Sequence, residues 1–215
     1  MPIDPAPLYF LGFRSLYNGK DKPMLKRQAK ALSDRQIRTV LTFLGNTRHP
    51  QRNRLIFLLS TRAGLRAKEI AHLRWSMVTD SEGQISEVIR LTDDASKGST
   101  GGIIPMAKQL REAFSEWANQ LTSTAAHQHV VQTRQASTSP QVIVNLFQTW
   151  YRELGFDGCS SHSGRRTFIT NAARNIGRFG GSLRDVQALA RHSSLAMTQT
   201  YIEIDSEAMR RVVDA

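Results

Sequence analysis

Apolar positions recur three and four residues apart along most of the chain, and this spacing predicts a largely helical protein. In the first such run Ile37, Val40 and Leu44 share one helical face, and either Ser33 or Asp34 can cap the helix that carries them. Further helices are predicted, in chain order, for QRNRLIFLLSTRA, RAKEIAHLRW, MAKQLREAFSEWANQL, SPQVIVNLFQTWYREL, SGRRTFITNAARNI, SLRDVQALARH and SLAMTQTYIEI.

A short central region departs from this helical pattern. The runs WSMVTD, EVIRLTDD and GIIPM are β-like, and the turn-forming segments SEGQ and DASKGSTGG separate them. They predict a small antiparallel sheet of three strands, with Lys97 in its second hairpin loop. The expected fold class is therefore α+β, mostly α-helical, and the polar segment 122–139 is expected to be a loop.

Residues 1–31 predict an N-terminal arm ahead of a domain at 32–215. The arm is rich in proline and carries a basic run that includes Lys26, Arg27 and Lys30. Such a run is usually a solvated tail, but it can also lie along the phosphate backbone of DNA. These three residues are therefore candidate DNA contacts.

Composition narrows the class of partner. The chain has 215 residues, 40% of them hydrophobic, which is enough to bury a core. Lys plus Arg is 29 against 18 Asp plus Glu, a net charge of +11. A charge balance this basic favours a polyanion as binding partner, with nucleic acid ahead of an anionic membrane surface. Basic soluble proteins without such a partner are nevertheless common.

The cysteine count and the length of the apolar runs indicate where in the cell the protein is located. Cys159 is the one cysteine, which excludes a disulfide within the chain. The N-terminus lacks a signal-peptide pattern, and apolar runs such as LIFLL are too short to cross a bilayer. The sequence therefore predicts a soluble cytoplasmic protein. Its HQH segment at 127–129 is too weak a metal signal to imply a metal cofactor.

The strongest chemical signal is SSHSGRR at 160–166, where a predicted helix begins. His162 and Arg165 are three residues apart and Arg166 is four from His162, so spacing does not decide which arginine points with the histidine. With the free N–H groups of a first helical turn, these cations make a phosphate cradle. The alternative is surface cations paired with acids, but residues 160–192 hold six Arg and one acid, Asp185. Arg166 is then a further candidate DNA contact.

Four other residues extend this signal: Arg66, Lys97, His192 and Tyr201. Cleaving a phosphodiester without a metal needs a nucleophile, cations for the non-bridging oxygens and an acid for the departing oxygen. Tyr201 can attack phosphorus, Arg66 and Arg165 can each bind two oxygens, and Lys97 can reach the leaving oxygen. The two histidines can donate hydrogen bonds or shuttle a proton. Considered one at a time, these residues also have ordinary structural explanations. A tyrosine usually packs in the core, and a cation at a helix end usually interacts with the helix dipole.

This set resembles the tyrosine recombinase family, also called phage integrases. AGLRAKEI resembles the family's Gly-Leu-Arg-x-x-Glu segment, HSGRR its His-x-x-Arg segment, ARHSS its Gly-His segment and TYIE its nucleophile segment. By this resemblance the catalytic residues are Arg66, Lys97, His162, Arg165, His192 and the nucleophile Tyr201. The resemblance covers roughly residues 33–205, the family's catalytic domain.

The resemblance implies a site-specific DNA recombinase or integrase. Tyr201 would attack the scissile phosphate of double-stranded DNA and form a 3′-phosphotyrosyl bond, with neither metal nor ATP. Four protomers would act together on two DNA sites as a homo-oligomer. Two alternatives stay open: a catalytically weak DNA-binding regulator of the same fold, and a type IB topoisomerase-like relaxing enzyme.

Three features depart from the family pattern. Gly164 stands where the family usually has Leu, and because glycine costs a helix about 1 kcal/mol relative to alanine, a looser first turn is expected. Arg191 stands where the family usually has Gly, and its bulk is expected to disturb the pose of His192. The segment ahead of the catalytic region is short, which suggests a minimal form that lacks most of the N-terminal core-binding domain.

Overall fold

The computed structural model describes residues 28–94, 101–133 and 137–202, so Lys26, Arg27 and Lys97 lie outside the described residues. The helices are α1 Asp34–Gly45, α2 Pro50–Arg62, α3 Ala67–His72, α4 Lys108–Ala118, α5 Pro140–Glu153, α6 Ser163–Asn175, α7 Leu183–Ala190 and α8 Leu195–Gln199. Short 3-10 helices lie at Trp75–Met77 and Ile176–Phe179. The mostly helical α+β fold class is confirmed.

Ser33, rather than Asp34, caps α1. The backbone N–H of Gln36 donates to Ser33 Oγ at 3.2 Å, and the Gln36 side chain accepts from the Ser33 backbone N–H at 3.0 Å. This reciprocal pair satisfies two N–H groups that a helix start leaves open. Segment 122–139 holds no helix or strand within its described residues, as predicted.

The prediction of three strands was wrong by one for the part of the chain that the structure describes. β1 Val88–Leu91 pairs antiparallel with β2 Gly102–Pro105, with Val88 opposite Pro105 and Leu91 opposite Gly102. The expected first strand instead winds into the 3-10 helix Trp75–Met77, because the fully buried Trp75 anchors it and its carbonyl accepts the N–H of Val78 at 2.9 Å.

An isolated bridge between Thr79 and Ile85 follows this 3-10 helix. Asp80 Oδ1 accepts the backbone N–H groups of Glu82 and Gln84, each at 2.9 Å, and this closes a tight turn. The side-chain bonds and the turn leave too few extended residues for a third strand.

Helix α2 is the centre of the main core. Five consecutive residues, 55–59, are fully buried, so the helix is surrounded by apolar neighbours. It packs against α1, α3, α4 and α6. No helix among the described residues has both the length and the apolar character that a membrane span requires.

A smaller apolar cluster joins α6 to α7. Ile169, Val186 and Ala190 are its buried members, and Tyr201 packs against it as a partly buried residue. Because α6 contacts both α2 and α7, it connects this cluster to the main core. Arg165 lies in α6, His192 follows α7, and Tyr201 packs against the smaller cluster, so three of the predicted site residues lie in this part of the molecule.

Candidate active site

Arg66 lies at a sharp turn between α2 and α3. Gly64 has φ +63°, in the left-handed region that glycine favours, and a Cβ there would lie 2.5 Å from the Phe168 ring of α6. The Leu65 N–H donates to Leu59 O at 3.0 Å, which ends α2, and Arg66 then becomes the N-cap of α3. The arginine is therefore held at a helix junction, as the sequence predicted.

Glu69 fixes Arg66 from one turn further on. One carboxylate oxygen accepts from Arg66 Nη1 at 2.9 Å, and the other accepts the Arg66 backbone N–H at 2.7 Å. That second oxygen also accepts from Arg191 Nη2 at 2.7 Å. Burial alone would raise the pKa of Glu69, but the charges of Arg191, Arg66 and Arg165 with the Arg66 N–H outweigh it and lower the pKa.

Arg165 is buried, with 3% of its surface exposed, and it bridges two loops. Its Nη1 donates to Gly64 O at 2.6 Å and its Nη2 to Ala190 O at 2.5 Å. Burial, then the charges of Arg66 and Arg191, lower its pKa to about 10, so the guanidinium stays charged at neutral pH. Arg165 thus joins the turn before Arg66 to the end of α7.

His162 and Arg166 occupy a different position from Arg165. Both line an open cleft of about 330 Å³, together with Tyr201 and Gln28. His162 is exposed at the N-cap of α6, and Arg166 Nη1 donates to the Gln28 side chain. The arginine that shares a cleft with the histidine is therefore Arg166, while Arg165 reaches into the interior.

His192 is 6% exposed and lies just after α7. Its Nδ1 is 3.0 Å from Thr198 Oγ1. Burial, followed by the charges of Arg165, Arg66 and Arg191, lowers its pKa to about 4. The imidazole is therefore neutral at pH 7, and Thr198 holds its Nδ1 by a hydrogen bond in either tautomer.

Tyr201 lies against His192 at the edge of the cleft. The two rings stack with centroids 5.3 Å apart, and Arg166 Cζ is 5.7 Å from the Tyr201 ring centroid. Thr170 Oγ1 donates to Tyr201 O at 3.3 Å. The prediction that Tyr201 lies on the last helix was wrong, because α8 ends at Gln199 and Tyr201 follows its C-cap in a turn.

Gly164 has a packing reason that the sequence did not reveal. A Cβ at this position would lie 2.4 Å from Ser60 Oγ and 2.8 Å from Ser60 Cβ, on the facing helix α2. Glycine therefore lets the first turn of α6 approach α2 closely. The expectation of a looser first turn stays a prediction.

Arg191 takes the place of the family's usual glycine with a left-handed backbone, φ +52°. Its side chain is 4% exposed and pairs with Glu69. His192 follows directly, with its N–H donating to Gln187 O at 3.1 Å. The Arg191 side chain extends to Glu69, and the expectation that its bulk disturbs the pose of His192 stays a prediction.

The site has a positive surplus. Three guanidinium groups, of Arg66, Arg165 and Arg191, surround the single carboxylate of Glu69. His192 is neutral at pH 7 and adds no charge of either sign. An anion that bears diffuse charge, such as a phosphodiester, complements such a surplus. Sequence reasoning missed two of these residues: Glu69 was quoted in its motif without a role, and Arg191 was treated as a departure.

Of the other predicted DNA contacts, Lys30 is described and exposed, and its backbone N–H donates to Gly158 O at 3.1 Å. Among residues 28–94, 101–133 and 137–202, no group of three or more His, Cys, Asp or Glu side chains could hold a metal ion.

Comparison with known proteins defines the class. The sequence model described as the phage integrase family matches residues 30–208. The chain therefore belongs to the phage integrase family, whose catalytic-domain fold is that of the tyrosine recombinases.

Particular relatives are similar over most of this chain. It is 27% identical over 188 residues to tyrosine recombinase XerA of Thermococcus onnurineus, covering 86% of this chain and 62% of that protein. It is 28% identical over 166 residues to XerC of Xanthomonas axonopodis pv. citri, covering 76% of this chain and 50% of that protein. The chain thus spans one half to somewhat under two thirds of these relatives.

Solved structures show the same fold. A crystal structure of XerA recombinase superposes with a TM-score of 0.66 at 21% identity, covering 85% of this chain and 63% of that one. XerH recombinase bound to its difH substrate, in a pre-cleavage complex, gives a TM-score of 0.62 at 16% identity and covers 89% of this chain and 56% of that one.

Proposed function

We propose that this chain is the catalytic region of a site-specific DNA recombinase that cleaves and rejoins strands through a phosphotyrosyl link at Tyr201. The observation that carries the proposal is the convergence of Arg66, Arg165, His192 and Tyr201, which the sequence separates widely, around a site with surplus positive charge. The relatives XerA and XerC, named tyrosine recombinases, support it.

In the proposed reaction the Tyr201 oxygen attacks the phosphorus of a DNA phosphodiester and loses its proton. The bond from phosphorus to the 5′ oxygen breaks, and that oxygen takes a proton and leaves as a 5′-hydroxyl. The 3′ end stays attached to Tyr201. A 5′-hydroxyl from a partner strand then attacks the same phosphorus and releases the tyrosine. Each step exchanges one phosphate ester bond for another, so the chemistry needs no ATP. The guanidinium groups of Arg66 and Arg165 would supply the charge stabilisation for which other enzymes use a metal ion.

Each site residue has a separate task in this scheme. Arg66 and Arg165 stabilise the charge that builds on the non-bridging oxygens, an effect of about 3 kcal/mol for a well-placed donor. His192, neutral at pH 7, takes the tyrosine proton or donates to a phosphate oxygen, and His162 borders the same cleft. Lys97, by its resemblance to the family's hairpin lysine, protonates the leaving 5′ oxygen.

DNA binding and assembly complete the proposal. Lys30 and Arg166 would contact phosphates beside the scissile one, as would Lys26 and Arg27, and Arg166 lines the cleft itself. Arg166 would exchange Gln28 for phosphate when DNA enters. We further propose a tetramer on two DNA sites, acting in the cytoplasm.

A covalent-capture experiment tests this function and identifies the target site in the same step. The full chain is incubated in EDTA with two sets of nicked duplexes, one from DNA that flanks the gene and one with randomised sequence. Adducts are isolated after denaturation and their DNA is sequenced. We expect an adduct from the wild-type chain, with DNA joined through its 3′ phosphate to residue 201, and none from Tyr201→Phe.

The outcomes separate the alternatives. An adduct that persists in Tyr201→Phe would show that another residue is the nucleophile. Salt-sensitive binding with no adduct on any duplex would favour a non-catalytic DNA-binding regulator. Relaxation of supercoiled plasmid by a monomer, with no recombinant products from paired sites, would favour a topoisomerase-like enzyme.

A further inference from the structure

Arg191 carries two features that each destabilise a folded protein. Its backbone lies in the left-handed region at φ +52°, where a residue with a Cβ is strained. Its guanidinium is buried, yet Nε and Nη1 have no hydrogen-bond partner among the described residues. A buried charged group with unmet donors is unfavourable, and the pair with Glu69 offsets part of that cost.

The contacts of Arg191 reach three parts of the site. Nη2 donates to the Glu69 oxygen that also accepts the backbone N–H of Arg66. The side-chain stem lies against Gly102 at the start of β2, where a Cβ would come 3.1 Å from Arg191 Cδ. The next residue in the chain is His192. Arg191 therefore touches the partner of Arg66, the base of the hairpin and the segment of His192.

The division of Glu69 between two arginines has a geometric consequence. Arg191 and the backbone N–H of Arg66 share one carboxylate oxygen, so the Arg66 guanidinium pairs through Nη1 with the other oxygen. Without Arg191 the shared oxygen keeps only the backbone N–H of Arg66 and can accept a second donor from the Arg66 guanidinium, which would draw that group inward. The Arg66 side chain is 21% exposed, so part of it is accessible to an incoming phosphate.

We propose that Arg191 is a positioning residue: it holds Glu69 so that Arg66 presents its guanidinium to the scissile phosphate, and it fixes the loop that carries His192. The proposal rests on the proposed function for its catalytic consequence, while the geometric part concerns the free protein. Arg191 is assigned no phosphate contact of its own, since its Nη2 donates to Glu69.

The first test uses the full chain without DNA. The ring signals of His192 are followed by NMR against pH in the wild type, Arg191→Gln and Arg191→Lys. The groups that face this imidazole are Arg165, Arg66, Arg191 and Tyr201. We expect the pKa of His192 to rise by about 0.5 or more in Arg191→Gln and to stay near the wild-type value in Arg191→Lys.

A matched control removes a charge elsewhere on the same helix. Arg184→Gln lies on the exposed side of α7 and should leave the titration of His192 unchanged. If Arg191→Gln titrates like the wild type, or if Arg184→Gln shifts His192 equally, the positioning role is overturned.

The second test measures cleavage on a duplex recovered by covalent capture. We expect Arg191→Gln to form adduct at least about tenfold more slowly than the wild type at saturating DNA, since misplacing a catalytic group has effects of that size. Its Kd for the duplex should stay within about twofold, and Arg191→Lys should recover most of the rate. A purely structural role would instead lower the melting temperature and leave the cleavage rate, measured well below that temperature, close to the wild-type value.

The two proposals fail in different ways. A wild-type chain that forms no adduct counts against the proposed function and leaves the titration of His192 to decide the geometric role of Arg191. A wild-type chain that cleaves, with Arg191→Gln cleaving equally fast, overturns the positioning role and leaves the proposed function intact.

Discussion

At the scale of single residues, Glu69 is the acid on which the site's geometry depends. It is fully buried and binds Arg66 and Arg191 at once. Removing one member of a buried charge network leaves the others uncompensated, which is far more costly than losing an exposed pair.

We therefore expect Glu69→Gln to lower the free energy of unfolding by about 3 kcal/mol, because the guanidinium groups that it binds lose their counter-charge. Urea denaturation followed by circular dichroism measures the change. Glu87→Gln is the matched control, since Glu87 is 88% exposed and 3.6 Å from Arg111. Its effect should stay below about 1 kcal/mol, and equal losses in the two variants would contradict the assigned role of Glu69.

His192 gives the stability a defined pH dependence. Its pKa is about 4 in the folded chain against an ordinary 6.5, so between these values the unfolded chain binds more protons. Stability therefore falls as the pH drops through this window, by about 2 kcal/mol between pH 7 and pH 5. His192→Asn should lose that part of the change, as measured by urea titrations at both pH values. An equally steep loss in the variant would place the titration elsewhere, for example at His49 or His129.

The sequence could identify individual catalytic candidates but not their network. Arg66, Arg165, His192 and Tyr201 were found because their segments resemble a family and their chemistry suits phosphate. Glu69 was within reach, because it lies three residues after Arg66 on the same helix. The pair of Arg191 with Glu69 joins residues 122 positions apart, and no local pattern indicates such a contact.

At the scale of elements, the packing of α6 on α2 determines where Arg165 sits. Gly164 precedes that arginine and faces Ser60 with no room for a Cβ. A substitution here tests whether close packing or helix propensity dominates.

We expect Gly164→Ala to lower the free energy of unfolding by about 1 to 3 kcal/mol, because overpacking outweighs the gain of about 1 kcal/mol in helix propensity. The double variant Gly164→Ala with Ser60→Gly should recover part of the loss, since the clashing side chain is removed. Gly45→Ala is the control, because a Cβ at that position of α1 meets nothing within 4 Å. It should be neutral or stabilising in the same denaturation assay, and a stabilised Gly164→Ala would contradict the packing argument.

The pattern of apolar residues predicted the helices well and the sheet less well, for physical reasons. Helices follow from a repeat that each segment carries within itself. The missing strand depended on the burial of Trp75 and on the side-chain bonds of Asp80, both of which are tertiary or turn effects. The last helix ended before Tyr201 because Thr200 Oγ1 donates to Met197 O at 2.8 Å, at a C-cap that the apolar spacing does not reveal.

At the scale of the whole molecule, the proposed function gives the net charge of +11 and the buried site different tasks. Exposed cations would bind DNA through counterion release, which is independent of sequence and sensitive to salt. The buried arginines would act only on a phosphate that enters the site. Affinity and cleavage should therefore be separable by substitution.

The basic residues ahead of position 28 should add to the salt dependence of DNA binding. Deleting residues 1–27 removes Arg14, Lys20, Lys22, Lys26 and Arg27, yet keeps Leu32, whose N–H donates to Thr167 Oγ1 of α6 at 2.7 Å. If the five cations bind phosphates, the slope of log K against log salt should become shallower by as much as about 4. Fluorescence anisotropy with a labelled duplex measures this slope.

The melting temperature should not change, and Tyr201→Phe should keep the full slope because it alters no charge. An unchanged slope after the deletion would mean that DNA affinity comes from residues 28–215 alone.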